Sequence, residues 1–258
     1  MVVHRIREHV ATYNWFAVGV DLIIVIVGVF IGIQASNWNA ARIERGEVRA
    51  YRLQIMENLK ANEQELAARG QYYRRVRAHA LEALDSLVSD APRGEAFLID
   101  SYQATQYWPI WMQHSAYDEM IAGGMAKNFG DPAIRRRLSH YYAGLQRFED
   151  AVGSPTAYRE RVRRAMPYAV QQRIRERCNE IARIDANGFV RLSLLEHCRP
   201  QLPPALASEA AARLSKTAEL EQDLTRHIGD VDQKIALFDV LLRRTRELRQ
   251  HLEATERR

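Results

Sequence analysis

Apolar residues follow two unlike patterns along this chain. Trp15 to Ile33 reads WFAVGVDLIIVIVGVFIGI, nineteen positions with one charge, Asp21, and no proline. Beyond Ala40 the apolar positions are spaced out. Val48, Ile55, Leu59, Leu66, Tyr73, Val76, Ala80 and Leu87 fall on alternating three- and four-residue steps, with Arg52, Asn62 and Arg69 filling the gaps in that rhythm. The first pattern predicts a helix apolar on every side, and the second predicts an amphipathic helix. At ~1.5 Å per residue the apolar run covers ~28 Å, close to the hydrocarbon thickness of a bilayer. Trp15 and Trp38 bracket it, with Tyr13 and Asn37 to Asn39 as interfacial flanks. The expected organisation is an N-terminal tail (1–14), a transmembrane anchor (15–36) and an extramembrane domain (37–258).

Two alternatives explain the run less well. A cleavable signal peptide has a shorter apolar region and a small-x-small exit, whereas Ile33-Gln34-Ala35-Ser36 places a bulky residue where a small one is needed. A soluble core helix seldom carries nineteen nearly uninterrupted apolar residues.

Punctuation divides the rest. The long helix, 40–91, holds no proline and stops at Asp90-Ala91-Pro92-Arg93-Gly94. Middle helices occupy 95–186. They begin with a short helix and an aromatic turn around Trp108-Pro109, followed by Ser115 to Ala122, which Gly123-Gly124 closes. Asp131 caps a helix that starts at Pro132 and runs to about Val152. Ser154-Pro155 starts the next, which Pro167 kinks or divides. An irregular loop, 184–204, precedes a C-terminal helix, 205–256, where Leu220, Leu224, Ile228, Val231, Ile235, Phe238 and Leu242 keep a heptad spacing. Such a helix needs a long partner, and the 40–91 helix, antiparallel, is the natural one. No stretch alternates convincingly as a strand. The expected fold is all-α: one N-terminal transmembrane helix continuing into an elongated antiparallel helical bundle.

Two stretches resemble a known group. Asp21 to Arg42, DLIIVIVGVFIGIQASNWNAAR, is similar to the anchor of a group of bacterial single-pass membrane proteins of uncharacterised function. That anchor ends in Gln and Asn-Trp-Asn. Ser115 to Tyr142, SAYDEMIAGGMAKNFGDPAIRRRLSHYY, resembles the group's Tyr-Asp-Glu motif, glycine turn and capped helix ending in paired tyrosines. Asp21 stands where glutamate is expected, and Ala40 where an acid is usual. The resemblance implies architecture and attachment to a bacterial inner membrane, but no chemistry.

Composition adds helix-formers and little else. Ala, Leu, Arg, Glu and Gln dominate outside the anchor. The net charge of +5 could suggest nucleic acid, but the arginines are interleaved with acids along helical segments. Clusters at 74–77, 135–137, 161–164 and 243–246 carry no binding-fold signature and read as solvated helix faces, so no nucleic-acid partner is expected. Topology draws two opposed signals. Arg42, Arg45, Arg49 and Arg52 follow the anchor while only Arg5 and Arg7 precede it, which favours a cytoplasmic domain. Cys178 and Cys198 bracket a turn-like Asp185-Ala186-Asn187-Gly188, and a disulfide there would need an oxidising compartment. Long domains cross largely regardless of flanking charge, so the cysteines carry more weight and the domain is assigned to the periplasm.

Candidate sites are few. Asp21, Gly28 and Gly32 share one face of the anchor, the small-xxx-small arrangement through which two helices associate in lipid; a homo-oligomer would form there. The alternative is ordinary anchor glycines and an acid near headgroups. Tyr107, Trp108, Trp111, His114 and Tyr117 form a candidate ligand site of stacking aromatics, against the plainer reading of rings filling a helix junction. Cys178, Glu196, His197 and Cys198 could gather around zinc, but no paired-histidine or C-x-x-C spacing supports it. No nucleophile elbow, phosphate loop or dinucleotide fingerprint is present, so no catalytic residue, cofactor or metal is assigned and the chain is not read as an enzyme. The leading reading is a membrane-anchored structural or interaction protein, a helical platform whose partners are the lipid bilayer and an unidentified protein. The alternative is a sensor-like module binding a ligand at 107–117 and acting through a partner. An enzyme of unrecognised type comes third.

Overall fold

The computed structural model describes residues 15–89, 91–153, 156–185 and 188–256. The expected tail (1–14), Asp90 of the stop signal, the helix start at Ser154-Pro155, and Ala186 and Asn187 of the expected turn lie outside the described residues. The chain forms two units, residues 1–51 and 52–258.

In the first unit the described residues are all helical, as the opening part of α1 (Trp15–Val88). Its apolar window has a mean hydropathy of 2.4, and none of it is buried against the rest of the chain. Asp21, Gly28 and Gly32 are exposed. A Cβ built on either glycine would meet nothing within 4 Å.

The second unit is all-α apart from one short hairpin. It comprises the remainder of α1, then α2 (Glu95–Gln103), α3 (Ser115–Ala122), a 3₁₀ turn (Met125–Asn128), α4 (Pro132–Val152), α5 (Ala157–Ala165) and α6 (Tyr168–Arg177). The strands β1 (Ile181–Ile184) and β2 (Val190–Ser193) follow, and α7 (Pro204–Ser215) and α8 (Leu220–Glu256) close the chain.

Three helices carry the frame, each with an unbroken four-three rhythm of buried positions. On α1 these are Ile55, Leu59, Asn62, Leu66, Arg69, Tyr73, Val76, Ala80 and Ala83. On α4 they are Ile134, Leu138, Tyr141, Leu145, Phe148 and Val152. On α8 they run from Leu220 and Leu224 through His227, Val231, Lys234, Phe238, Leu241 and Thr245 to Leu248 and Leu252. Such a rhythm keeps one face turned to a long neighbour. Ion pairs from Glu63 to Arg249 (2.5 Å) and from Arg74 to Asp239 (2.7 Å) show α1 and α8 antiparallel. Phe238 stands edge-on to Phe148 of α4 (5.1 Å between centroids) and stacks on Tyr73 of α1 (5.6 Å), so all three helices meet at its ring. At the other end, α2, α5, α6 and α7 pack around Ala80 and Ala83 of α1 and Leu220 and Leu224 of α8. Phe97, Tyr102, Tyr158, Val162, Ile174 and Leu214 fill that core.

Local signals explain most boundaries. The Asp131 carboxylate accepts from the Ala133 (2.7 Å) and Ile134 (2.9 Å) amides and starts α4. Gly130 precedes it at φ +62°, a conformation that favours glycine. Pro167 separates α5 from α6 by forcing Met166 out of helical geometry (ψ 128°), and the Gln171 amide bridges the break to the Arg163 and Met166 carbonyls at 2.8 Å each.

Three expectations need correction. The C-terminal helix is two helices, parted at 216–219 without proline or glycine. Arg161 holds the turn by donating to the Ala218 carbonyl (2.7 Å) and pairing with Glu219 and Asp223, a tertiary cause that helix periodicity does not encode. The loop expected at 184–204 begins inside an antiparallel hairpin, Ile181 opposite Ser193 through Ile184 opposite Val190. Neither strand has a buried face, so no alternation marks it. The buried seam of α8 also differs. Ile228, Ile235 and Leu242 are only half-buried, and the polar residues His227 and Lys234 take the inward positions.

Candidate functional site

Three seams separate α1, α4 and α8. The one between α1 and α4 is covered by the extended segment 107–114, in which Trp108, Ile110 and Met112 point inward and Trp111 points out. Polar residues set into the α1 rhythm hold its backbone. The Asn62 side chain donates to the Gln113 carbonyl (2.9 Å) and accepts from the Gln113 amide (2.7 Å), as a neighbouring strand would. Arg69 donates to the carbonyls of Trp108 (3.0 Å) and Pro109. From the α4 side, Glu149 accepts from the Met112 amide (2.7 Å). The seam between α1 and α8 is closed differently, by the pairs Arg74–Asp239, Arg77–Asp232 and Arg249–Glu63.

This arrangement disposes of the five candidate aromatics one by one. Trp108 is buried edge-on to Tyr72 (5.4 Å), with the Arg69 guanidinium over its face (4.4 Å). The Tyr107 hydroxyl donates to the Gly153 carbonyl (2.7 Å). Tyr117 stacks on Tyr142 (4.1 Å). His114 is exposed and pairs locally with Asp118 (2.5 Å), and Trp111 is 75% exposed. The side chains diverge and do not face a common space.

Beneath the segment runs a chain of charges. Arg69 pairs with Glu65, Glu65 with Arg191 of β2, and Arg191 with Asp185 (2.9 Å). Desolvation lowers the pKa of Arg69, an effect that the adjacent Glu65 carboxylate opposes. Burial also raises the Tyr73 hydroxyl to about 12. Further along, the buried His227 ring has Nε2 2.8 Å from the Ala104 carbonyl and Nδ1 2.9 Å from the Thr156 hydroxyl. Desolvation brings its pKa down to about 4, so the ring is neutral at pH 7, with Nε2–H donating and Nδ1 accepting. Lys234 is lowered by the same cause. Arg69 and Tyr73 have hydrogen-bond partners within the fold, whereas His227 and Lys234 line a cleft of about 360 Å³ beside Thr156, Asp223 and Asp230.

Cys178 and Cys198 are joined in a disulfide with a Cα separation of 5.4 Å. It ties the end of α6 to the segment after β2 across 20 residues of sequence. A loop of that length contributes ~3 kcal/mol in the chain-entropy estimate. With both sulfurs in the bond, the zinc alternative loses its two thiolates.

The third seam, between α4 and α8, is open. Two adjoining clefts of about 680 and 190 Å³ lie along it and share His140, Tyr141 and Arg244. Their floor is Tyr141, Phe148, Leu241 and Leu248, while Arg136, Arg137, Arg147 and Arg244 stand on the walls. Among the described residues these four arginines make no ion pair, and Glu247 is the single acid of the lining. Gly144 sits midway, and a Cβ there would meet nothing within 4 Å. From the sequence alone, 135–137 and 243–246 read as separate solvated clusters. The heptad frame was the signal that could have joined them, since α4 and α8 keep the same rhythm.

Comparison with protein-family models, with curated proteins and with solved structures finds no match to this chain.

Proposed function

We propose that the chain is a single-pass protein of a bacterial inner membrane whose periplasmic helical domain serves as a platform for another protein. One observation carries the reading. An apolar window of mean hydropathy 2.4 leaves every residue uncovered by the rest of the chain. Contiguous apolar surface on that scale is costly in water and belongs in lipid or against another apolar helix. The exposed face bearing Asp21, Gly28 and Gly32 would serve a second copy of the anchor.

The periplasmic side rests on the Cys178–Cys198 bond, because reducing compartments rarely keep such bonds. An interaction role is favoured over a ligand sensor because Tyr107, Trp108 and Tyr117 are engaged within the fold, while Trp111 and His114 stand apart on the surface. His227 meets the Thr156 hydroxyl, but a ring whose pKa desolvation brings down to about 4 is a weak base toward it, so catalysis is not the reading favoured.

Membranes from an expressing cell test both parts. The full chain is expected to stay in the pellet after alkaline carbonate washing, and release into the supernatant would end the anchoring reading. A membrane-impermeant alkylating reagent should label Cys178 and Cys198 only after reduction, and then in intact spheroplasts. Labelling that required lysis would place the domain in the cytoplasm.

A further inference from the structure

We infer that the open seam between α4 and α8 is the docking groove for an acidic amphipathic helix of a partner protein. The inference rests on the platform reading and names the partner's chemistry. The groove runs from Ala133 to Ala151 along α4 and from Leu237 to Leu248 along α8, which at ~1.5 Å per residue is about 27 Å on one wall and about 17 Å on the other, room for a helix of three to five turns. α1, α4 and α8 form a three-helix section in which two seams are shut, one by the 107–114 segment and one by ion pairs. A helix in the third seam would complete a four-helix packing.

Three features select the occupant. The floor is apolar: Phe148, Leu241 and Leu248 are buried, and Val240 is 36% exposed beside them. Opposed leucines at helical spacing would cover that strip. The walls are basic. Arg136, Arg137, Arg147 and Arg244 against Glu247 leave three net positive charges without counting His140, so the flanks of the visiting helix must be acidic. The middle is notched. Glycine in a helix interior is less favourable than alanine, and at Gly144 a Cβ would meet no described atom within 4 Å, so the position leaves room for a backbone arriving from outside.

A second copy of this chain is the wrong occupant, because a twofold axis would bring the same guanidiniums face to face. An anionic membrane surface fits less well. A plane of headgroups can reach the arginines on the rim but leaves the strip between the two helices uncovered.

Fluorescence anisotropy tests the inference with the full chain in phosphatidylcholine nanodiscs. The probe is an 18-residue labelled peptide with leucines at i, i+3, i+4 and i+7 and glutamates on both flanks. The controls are a scramble of the same composition and a version with lysine for glutamate. The acidic helix should bind at micromolar concentration, at least tenfold tighter than either control, and weaken as salt rises. Arg137→Glu with Arg244→Glu should cut its affinity at least tenfold. Gly144→Leu, which fills the notch without changing charge, should do the same. Arg74→Glu on the closed seam should leave it unchanged.

Equal binding of the scramble, or binding indifferent to both groove variants, would overturn the inference. So would an absence of peptide binding accompanied by arginine-dependent capture of phosphatidylglycerol vesicles, which would make the seam a lipid contact. Release of the chain from membranes by carbonate would defeat anchoring while leaving the peptide result standing. Loss of peptide binding by a chain that stays in the membrane would defeat the groove alone.

Discussion

α8 faces two neighbours with two opposite solutions. Toward α1 its charges are matched: Asp239 meets Arg74, Asp232 meets Arg77, and Arg249 meets Glu63. Toward α4 its Arg244 stands with three other arginines that meet no acid among the described residues. One helix, with the same residue types, thus has one edge that is internally complete and one that is not. Surface pairs contribute little to stability, so the difference is not a matter of holding the fold together. Matched charge fixes which helices pair, whereas unmatched charge beside an apolar strip leaves complementarity for something else to supply.

The largest effect should come from the most enclosed of the paired carboxylates. Glu65 joins Arg69 and Arg191 beneath the 107–114 segment, and its side chain is 11% exposed. Glu65→Leu keeps the volume but leaves two guanidiniums facing each other without the carboxylate. Removing one member of a buried pair typically costs 3–5 kcal/mol, so urea unfolding of the full chain in detergent should show a loss of about 4 kcal/mol. A loss below about 1 kcal/mol would mean that the chain of charges does not hold the segment, and that the seam between α1 and α4 is closed by apolar packing alone.

Those same buried polar residues mark where sequence reading succeeded and failed. The rhythm on α1 was legible with Asn62 and Arg69 in place, because Leu59, Leu66 and Tyr73 on either side left no other register. Their task, holding the backbone of a segment 39 to 51 residues away, was not legible, because no local pattern records it. On α8 the apolar Ile228 and Ile235 drew the seam one position aside from His227 and Lys234. Hydrophobicity alone prefers isoleucine, and only the Ala104 carbonyl and Thr156 hydroxyl make a histidine welcome inside. Proline and aspartate signals are local, so the α4 cap and the division at Pro167 could be read directly. The break at 216–219 depends on Arg161, and the groove depends on two helices 100 residues apart, so neither could.

A pH titration separates the buried seam from the exposed one. His227 is held neutral, with its folded pKa near 4 against an ordinary 6.5, chiefly by desolvation. Because the folded value is the lower one, the histidine's contribution is complete above about pH 6.5 and is lost as pH falls from there toward about 4. At 1.36 kcal/mol per unit, that loss is about 3 kcal/mol. His227→Gln can still donate to Ala104 but does not titrate. The stability difference between wild type and variant, followed from pH 7 to 4.5, should therefore shift by about 2–3 kcal/mol against the wild type. A difference that stays flat would mean that the ring is not desolvated and that this end of α8 is open to water.

The smallest effects discriminate the two edges most sharply. Asp239→Ala removes an exposed pair on the closed seam and should cost about 0.2–1 kcal/mol. Gly144→Ala on the open seam should act in the opposite direction. The residue lies inside α4, and its Cβ would enter empty space. Alanine narrows the unfolded ensemble and suits a helix better, so the isolated chain should gain about 0.5–1 kcal/mol. Gly153, just past the end of α4, provides the contrast, because there a Cβ would lie 2.9 Å from the Glu149 carbonyl and Gly153→Ala should destabilise. At Gly144, then, no described residue excludes a side chain, and the groove reading supplies the reason for its absence. If Gly144→Ala instead lowers stability, some part of this chain already occupies the notch, and the distinction between a closed edge and an open one fails at its centre.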